Sequence, residues 1–287
     1  MTQWRKLIGQ PQAIETLRAA VADAARQPAG PAMTHAWLVT GPPGSGRSVA
    51  AELFASALMC STGGCGECPD CRDVAKGAHP DLTVITPDGL SYRTSDARLL
   101  AERAAYSPTR SRWHVIVLED ADRLTESANN VLLKSIEEPP PRTVWVLCAP
   151  SSEDVLPTIH SRCRQIRLRT PSSTEVAAYL SEIDGVDPQT ALFAARAAQG
   201  HVGRARALAV EEEVRRQRQL VLGVPRRLTD VVACLSVAAE LVGLAKEAAE
   251  NTTTARDQRE REELSAVWGE GAQGKGVRGG ARGHKGA

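Results

Sequence analysis

The sequence predicts an α/β fold built on a five-stranded parallel sheet, joined to a small all-α domain and one further helix. Three observations carry this. Short β-like runs alternate with helical patterns through the first 170 residues, and a glycine-rich turn follows the first run directly. Beyond residue 170 only helical patterns remain. Strands alternating with helices imply a parallel sheet covered on both faces. Aromatics are scarce in the 287 residues, with 5 Trp, 3 Tyr and 2 Phe, so Ala, Val, Leu and Ile must build the core.

The expected strands are Ala36–Thr40, Leu82–Thr86, Trp113–Leu118, Thr143–Ala149 and Gln165–Leu168. The first four are nearly continuously apolar, as strands buried on both faces are. Helices are expected over Pro11–Arg26, Ser48–Met59, Asp96–Ala105 and Ser127–Glu138, where apolar residues recur at helical spacing. Thr170-Pro171-Ser172-Ser173 marks a break, so residues 1–170 form one domain. Three helical patterns follow, Thr174–Ile183, Pro188–Gln199 and Val202 to about Leu222, giving a lid at 171–222. Gly223-Val224-Pro225 is expected to break the chain, and one more amphipathic helix runs from about Leu228 to Glu250 within a 223–255 segment. Residues 256–287 turn highly charged, then Gly- and Arg-rich. They are expected to be a disordered tail.

Lys plus Arg number 35 and Asp plus Glu 34, for a net charge of +1. That balance argues against a globally basic nucleic-acid binder. With no apolar run of 18 residues, no transmembrane helix or membrane partner is expected. The polar start Met1-Thr2-Gln3-Trp4-Arg5-Lys6 suggests no secretory signal, so a cytoplasmic location is expected.

Gly41-Pro42-Pro43-Gly44-Ser45-Gly46-Arg47-Ser48 has the spacing of a phosphate-binding loop, with Arg47 where lysine is expected. Glycines let backbone N–H groups converge on phosphate oxygens at a helix N-terminus. Ser48 is placed to ligate Mg²⁺. Arginine is a wide planar fork where lysine is a compact point charge, so ATP/Mg²⁺ binding is expected to be weakened, with little hydrolysis. The strand ending at Leu118 is followed by Glu119-Asp120, an acidic pair in the order opposite to that of active ATPases. The two departures point the same way, toward a site that has lost catalysis. The alternative for the loop is a strand-to-helix turn that binds nothing.

Cys60, Cys65, Cys68 and Cys71 place four thiols within 12 residues, with Gly63, Gly64 and Gly66 supplying turns. The spacing fits a tetrahedral structural Zn²⁺ site inserted at 60–71. Cys148, Cys163 and Cys234 stand alone among apolar residues and are expected in the core.

Together these features resemble the AAA+ clamp-loader subunits of bacterial DNA polymerase III. The phosphate loop, the four-Cys insertion after its helix and His79-Pro80-Asp81 occur together in that family. Leu132-Leu133-Lys134-Ser135-Ile136-Glu137-Glu138-Pro139-Pro140 is similar to its LLKxLEEPP segment, Leu156-Pro157-Thr158-Ile159-His160-Ser161-Arg162-Cys163 to its LPxTIxSRC segment, and Ile8-Gly9-Gln10 to the segment near its adenine pocket. Arg47 and the Glu119-Asp120 order resemble the delta-prime branch more than the gamma/tau motor.

The resemblance implies that Arg162 is an arginine finger offered to ATP in a neighbouring subunit. It implies a sensor-1 role for Ser151 and a sensor-2 role for Arg204. It further implies gamma/tau and delta subunits as partners in a hetero-pentamer, which acts through the complex on a sliding clamp and primer-template DNA. This chain's own ATPase would be weak or absent, and no polymerase active site is visible. Such subunits continue into a helical collar, of which only a first helix is legible here. Two other readings stay open: an active gamma/tau-type ATPase motor, and a zinc-containing DNA-binding module with a vestigial nucleotide fold.

Overall fold

The computed structural model describes residues 3–87 and 89–268. The chain opens with a 3₁₀ turn at Gln3–Lys6 and α1 at Pro11–Ala24. The sheet comprises β1 (Ala36–Thr40), β2 (Leu82–Ile85), β3 (His114–Leu118), β4 (Thr143–Ala149) and β5 (Arg164–Arg167). All neighbours are parallel, in the order β2-β3-β4-β1-β5. Between strands lie α2 (Arg47–Met59), α3 (Pro69–Ala75), α4 (Thr94–Ala104), α5 (Glu126–Glu137) and the one-turn α6 (Pro157–His160).

Alternation along the strands divides the core in two. Trp37 and Val39 of β1 pack with Val144, Val146 and Cys148 of β4 beneath α1 and α2. Ala36 and Leu38 face the other way, with Trp145 and Leu147, onto α4 and α5. Trp37 meets Phe54 edge-on at 5.1 Å. β1, β3 and β4 are wholly buried, as their apolar runs require. β2 departs from that expectation, being only partly buried with Val84 half exposed, because it is an edge strand with a neighbour on one side only.

Three helices, α7 (Ser173–Glu182), α8 (Pro188–Ala197) and α9 (Val202–Val210), enclose a separate core of Val176, Leu180, Ala191, Ala194, Ala195 and Leu208. Ser172 starts α7 with a reciprocal cap shared with Glu175. The expected third lid helix is interrupted at Glu211, and α10 (Glu212–Arg227) begins after it.

The break expected at Gly223-Val224-Pro225 does not occur, since α10 runs through Pro225. That proline lies in the last turn, where its missing N–H costs the helix one bond before it ends. The last helix, α11 (Val231–Trp268), is longer than expected. It carries 256–268, part of the expected disordered tail, because this charged stretch has helix-forming Arg and Glu and no Gly or Pro to stop it. Residues 269–287 lie outside the described ones.

The chain divides into two compact units, Met1–Arg215 and Arg216–Ala287, the boundary falling inside α10. Within the second, Arg227 pairs with Glu240 at 2.6 Å, and Asp230 caps α11 through the Ala233 N–H at 2.9 Å. Cys234, expected in the core, is exposed on α11, whereas Cys148 is fully buried. Among the described residues no helix is long and apolar enough to cross a membrane.

Candidate functional site

The phosphate loop forms where its glycines allow it. Gly44 and Gly46 have φ of +82° and +97°, conformations that side chains resist. The Gly41 N–H bonds the Pro150 carbonyl at 3.1 Å, tying the loop to the end of β4, and Ser45 N–H turns back to Pro42 O at 3.0 Å. Arg47 opens α2, but its side chain folds back on the loop. Nη1 donates to the Gly41 carbonyl at 3.0 Å and Nη2 lies 3.9 Å from Asp120 Oδ1. The guanidinium is therefore neutralised by groups of its own chain, with only 15 % of the side chain exposed.

The acidic pair completes this closure. Burial raises the Glu119 pKa above its ordinary value, a rise opposed by a bond from the Ser48 hydroxyl and reinforced by Asp120. The buried Cys148 thiol bonds the same carboxylate. Asp120 is held at φ +46° and also lies 3.7 Å from Arg123. Ser48 and Glu119 are thus brought together, as a Mg²⁺ shell would need, and they hold each other.

The residue that sequence reasoning missed is His201. It caps the start of α9, with its Nδ1 accepting the Arg204 N–H at 3.3 Å, and its ring lies directly against Gly44. A Cβ on Gly44 would collide with that ring. The only local signal was Gly200-His201 ahead of a helix, where Gly200 at φ +82° packs against the Pro171 carbonyl. Arg204 itself is exposed. Ser151 lies just after β4, beside the loop, but its hydroxyl is turned to Glu153, which also donates its N–H to Ser151 Oγ at 3.1 Å.

Gln10 fastens the loop to the lid. Its amide donates to Arg169 O at 2.6 Å and to Ser45 O at 3.4 Å, and accepts the Arg169 N–H at 3.1 Å. Arg169 in turn grips Glu175 through both terminal nitrogens, at 3.0 and 2.5 Å. That pairing, with the Ser172 N–H, lowers the Glu175 pKa to about 2. Beside this clasp lies an open groove of about 390 Å³ at the Ile8-Gly9-Gln10 segment, lined by Leu7, Ile8, Ile14 and Tyr179 together with the charged Arg5, Glu175 and Glu182.

Arg162 stands in a different setting. Ile159 of α6 is fully buried and Cys163 packs against the same core, so the three residues between them, Arg162 included, are pinned at both ends. The side chain remains 41 % exposed. It pairs with Glu137 at the end of α5 through Nε, and Nη1 donates to Thr158 O at 2.7 Å and to Ser161 Oγ at 3.3 Å. Parallel register fixes where this group lies. Arg164 is paired with Trp37 at the start of β1, whereas the loop begins after Thr40 at its end. At roughly 3.3 Å per residue the loop starts about 13 Å further along the strand. Arg162 is thus near the amino ends of the strands, whereas this chain's own phosphate loop lies at their carboxyl ends.

The four cysteines converge as their spacing predicts. All four sulfurs lie within 4.8 Å of one another, with Cys60–Cys65, Cys60–Cys68 and Cys65–Cys71 separations of 3.7, 3.7 and 3.9 Å. Metal–sulfur bonds of about 2.3 Å in a tetrahedron require edges of about 3.8 Å. Backbone N–H groups of Cys65, Glu67, Cys68 and Cys71 point at the sulfurs, as thiolates need. The cluster could therefore hold a metal ion. Arg110 bridges Asp70 and Asp73 of α3 at 2.8 and 2.7 Å, and Asp81 receives the N–H groups of Thr109, Arg110 and Ser111. The knob is thereby strapped to the start of β2.

Residues 10–172 match the family model described as DNA polymerase III, delta subunit. The DNA polymerase III subunit delta' of Pseudomonas aeruginosa is 33% identical over 211 residues, 71% of this chain and 64% of that protein. That of Bacillus subtilis is 36% identical over 137 residues, 47% of this chain and 42% of that protein. The gamma/tau subunit of Mycobacterium tuberculosis is 34% identical over 156 residues, 53% of this chain and 27% of its own length. The chain thus spans less than two thirds of each of these relatives. A solved RuvB point mutant of Thermotoga maritima superposes with a TM-score of 0.53 at 17% identity, covering 82% of this chain and 71% of that one. At that identity the likeness concerns the fold, which is an α/β fold of the AAA+ phosphate-loop type.

Proposed function

Because the chain belongs to the DNA polymerase III delta subunit family, as a delta'-type clamp-loader subunit, we propose that it serves its complex as a stator that donates Arg162. The reaction is ATP-driven loading of a ring-shaped sliding clamp onto primed DNA. Arg162 would enter a neighbouring gamma/tau-type subunit's site as an arginine finger. A guanidinium beside the γ-phosphate stabilises charge developing in the transition state.

One observation carries this reading: Arg162 is exposed near the amino ends of the strands, remote from its own loop, so any nucleotide it serves belongs to another subunit. The self-paired Arg47, the Ser48–Glu119 bond and His201 on Gly44 support weak or absent hydrolysis by this chain. They count against the motor reading. The open groove at Ile8-Gly9-Gln10 leaves room for a base, so residual nucleotide binding without turnover is part of the proposal. The cysteine cluster takes Zn²⁺ in a closed, structural role. Helices α10 and α11 supply apolar residues, among them Val231, Val232 and Leu235, for a collar shared with gamma/tau and delta subunits. The setting is cytoplasmic.

Reconstitution with gamma/tau-type and delta-type subunits, followed by clamp-stimulated ATPase, tests the proposal. Arg162→Ala should still co-purify with the partners and should lose turnover at the site it faces. Unchanged turnover in an intact complex would remove the assignment. For the metal, the purified chain should carry one zinc per molecule, and Cys71→Ser should lose it. A metal-free chain with unchanged stability would rule out the structural role.

A further inference from the structure

We propose that Glu137 is the positioning residue of the Arg162 finger, an inference that rests on the reading of Arg162 given above. An arginine side chain has many rotamers to give up before it can act at a fixed point. Here part of that ordering is already done. The guanidinium is held on two sides by rigid neighbours. Glu137 takes Nε, while the Thr158 carbonyl and the Ser161 hydroxyl take Nη1. The side chain remains 41 % exposed, so the guanidinium stays within reach of an incoming phosphate.

The framework behind these contacts is stiff. Glu137 is the last residue of α5, whose Ala128, Leu132 and Ile136 are fully buried, and Thr158 belongs to α6, anchored by Ile159. The pair itself is solvent-exposed, at 41 % and 38 %. Exposed ion pairs contribute little to folding, so stability does not account for what this one does. Its effect is directional: it fixes the plane of the guanidinium before a partner arrives. Preorganised donors stabilise a transition state without reorganising during the reaction, and small misplacements reduce rate steeply. What positions the finger is the Glu137 carboxylate, which lies against Nε as an ion pair while Thr158 and Ser161 accept from Nη1.

The test uses the reconstituted complex, with kcat and KM for ATP measured in the presence of clamp and primed DNA. Glu137→Ala removes the carboxylate and should lower the Arg162-dependent kcat about tenfold at unchanged KM. Glu137→Gln keeps the side chain's size but loses the ion pair, and should lower kcat by less than Glu137→Ala does. In an Arg162→Ala background, Glu137→Ala should have no further effect, a dependence that a merely structural residue would not show. If Arg162→Ala lowers kcat while Glu137→Ala leaves it unchanged or raises it, Glu137 does not position the finger and the inference falls alone. If Arg162→Ala itself leaves kcat unchanged, the finger reading falls and takes this one with it.

Discussion

Two arginines flank β1 and meet opposite fates. Arg47, at its carboxyl end, is folded onto the Gly41 carbonyl and toward Asp120, with 15 % of its side chain exposed. Arg162, beside its amino end, is 41 % exposed. The difference teaches how one strand can carry a self-paired, covered guanidinium at one end and an exposed one at the other. At the phosphate loop every charged group is answered from within: Arg47 by Gly41 and Asp120, Glu119 by Ser48 and Cys148. Polyphosphate binding there would have to displace bonds already made. At the Arg162 corner the contacts orient the group and leave it accessible.

The largest expected effect breaks the comparison at its open side. Arg162→Ala should reduce turnover at the partnered site by about 10³-fold, the scale on which arginine fingers act. A reduction of less than about tenfold would mean that the corner is ordinary surface.

The next tests the closed side. Gly44→Ala places a side chain at φ +82° and against the His201 ring. It should destabilise the first unit by about 2–4 kcal/mol, read as a lower urea midpoint. Pairing it with His201→Ala should recover part of the loss. No recovery would mean that the ring does not seat on the loop in solution.

A smaller effect follows from Glu119. Because burial raises its pKa, folding stability falls as pH rises through that raised value. Glu119→Gln lacks this penalty and should be the more stable protein at pH 8. Its advantage should disappear below the ordinary glutamate value of 4.5, where wild type is neutral as well. An advantage that grows on acidification would contradict a buried, self-paired carboxylate. The smallest expected change is none: Arg47→Lys should leave ATP turnover by the isolated chain at background, since His201, Asp120 and the Ser48–Glu119 bond persist. Normal turnover in that variant would show that Arg47 alone closed the site.

Much of this was legible in the residues because it is local. The apolar runs around Leu38, Val117 and Val146 could only be strands buried on both faces, and they are. Cys60 to Cys71 sit so near in sequence that three glycine turns, all at positive φ, suffice to bring the sulfurs together. Legibility failed where a local signal competed with its surroundings. Pro225 read as a break, but it falls in a final helical turn that tolerates it.

The sequence by itself determined the sheet, the glycine conformations of the phosphate loop and the four-thiol cluster, because backbone preference, periodicity and short spacing act within a few residues. Only the tertiary structure decided that His201 rests on Gly44, that Glu137 holds Arg162, and that Arg47 and Arg162 lie at opposite ends of two adjacent strands. Those facts depend on how the lid docks and on parallel strand register. Both are set by burying apolar faces that are far apart along the chain, and no short stretch of sequence encodes them.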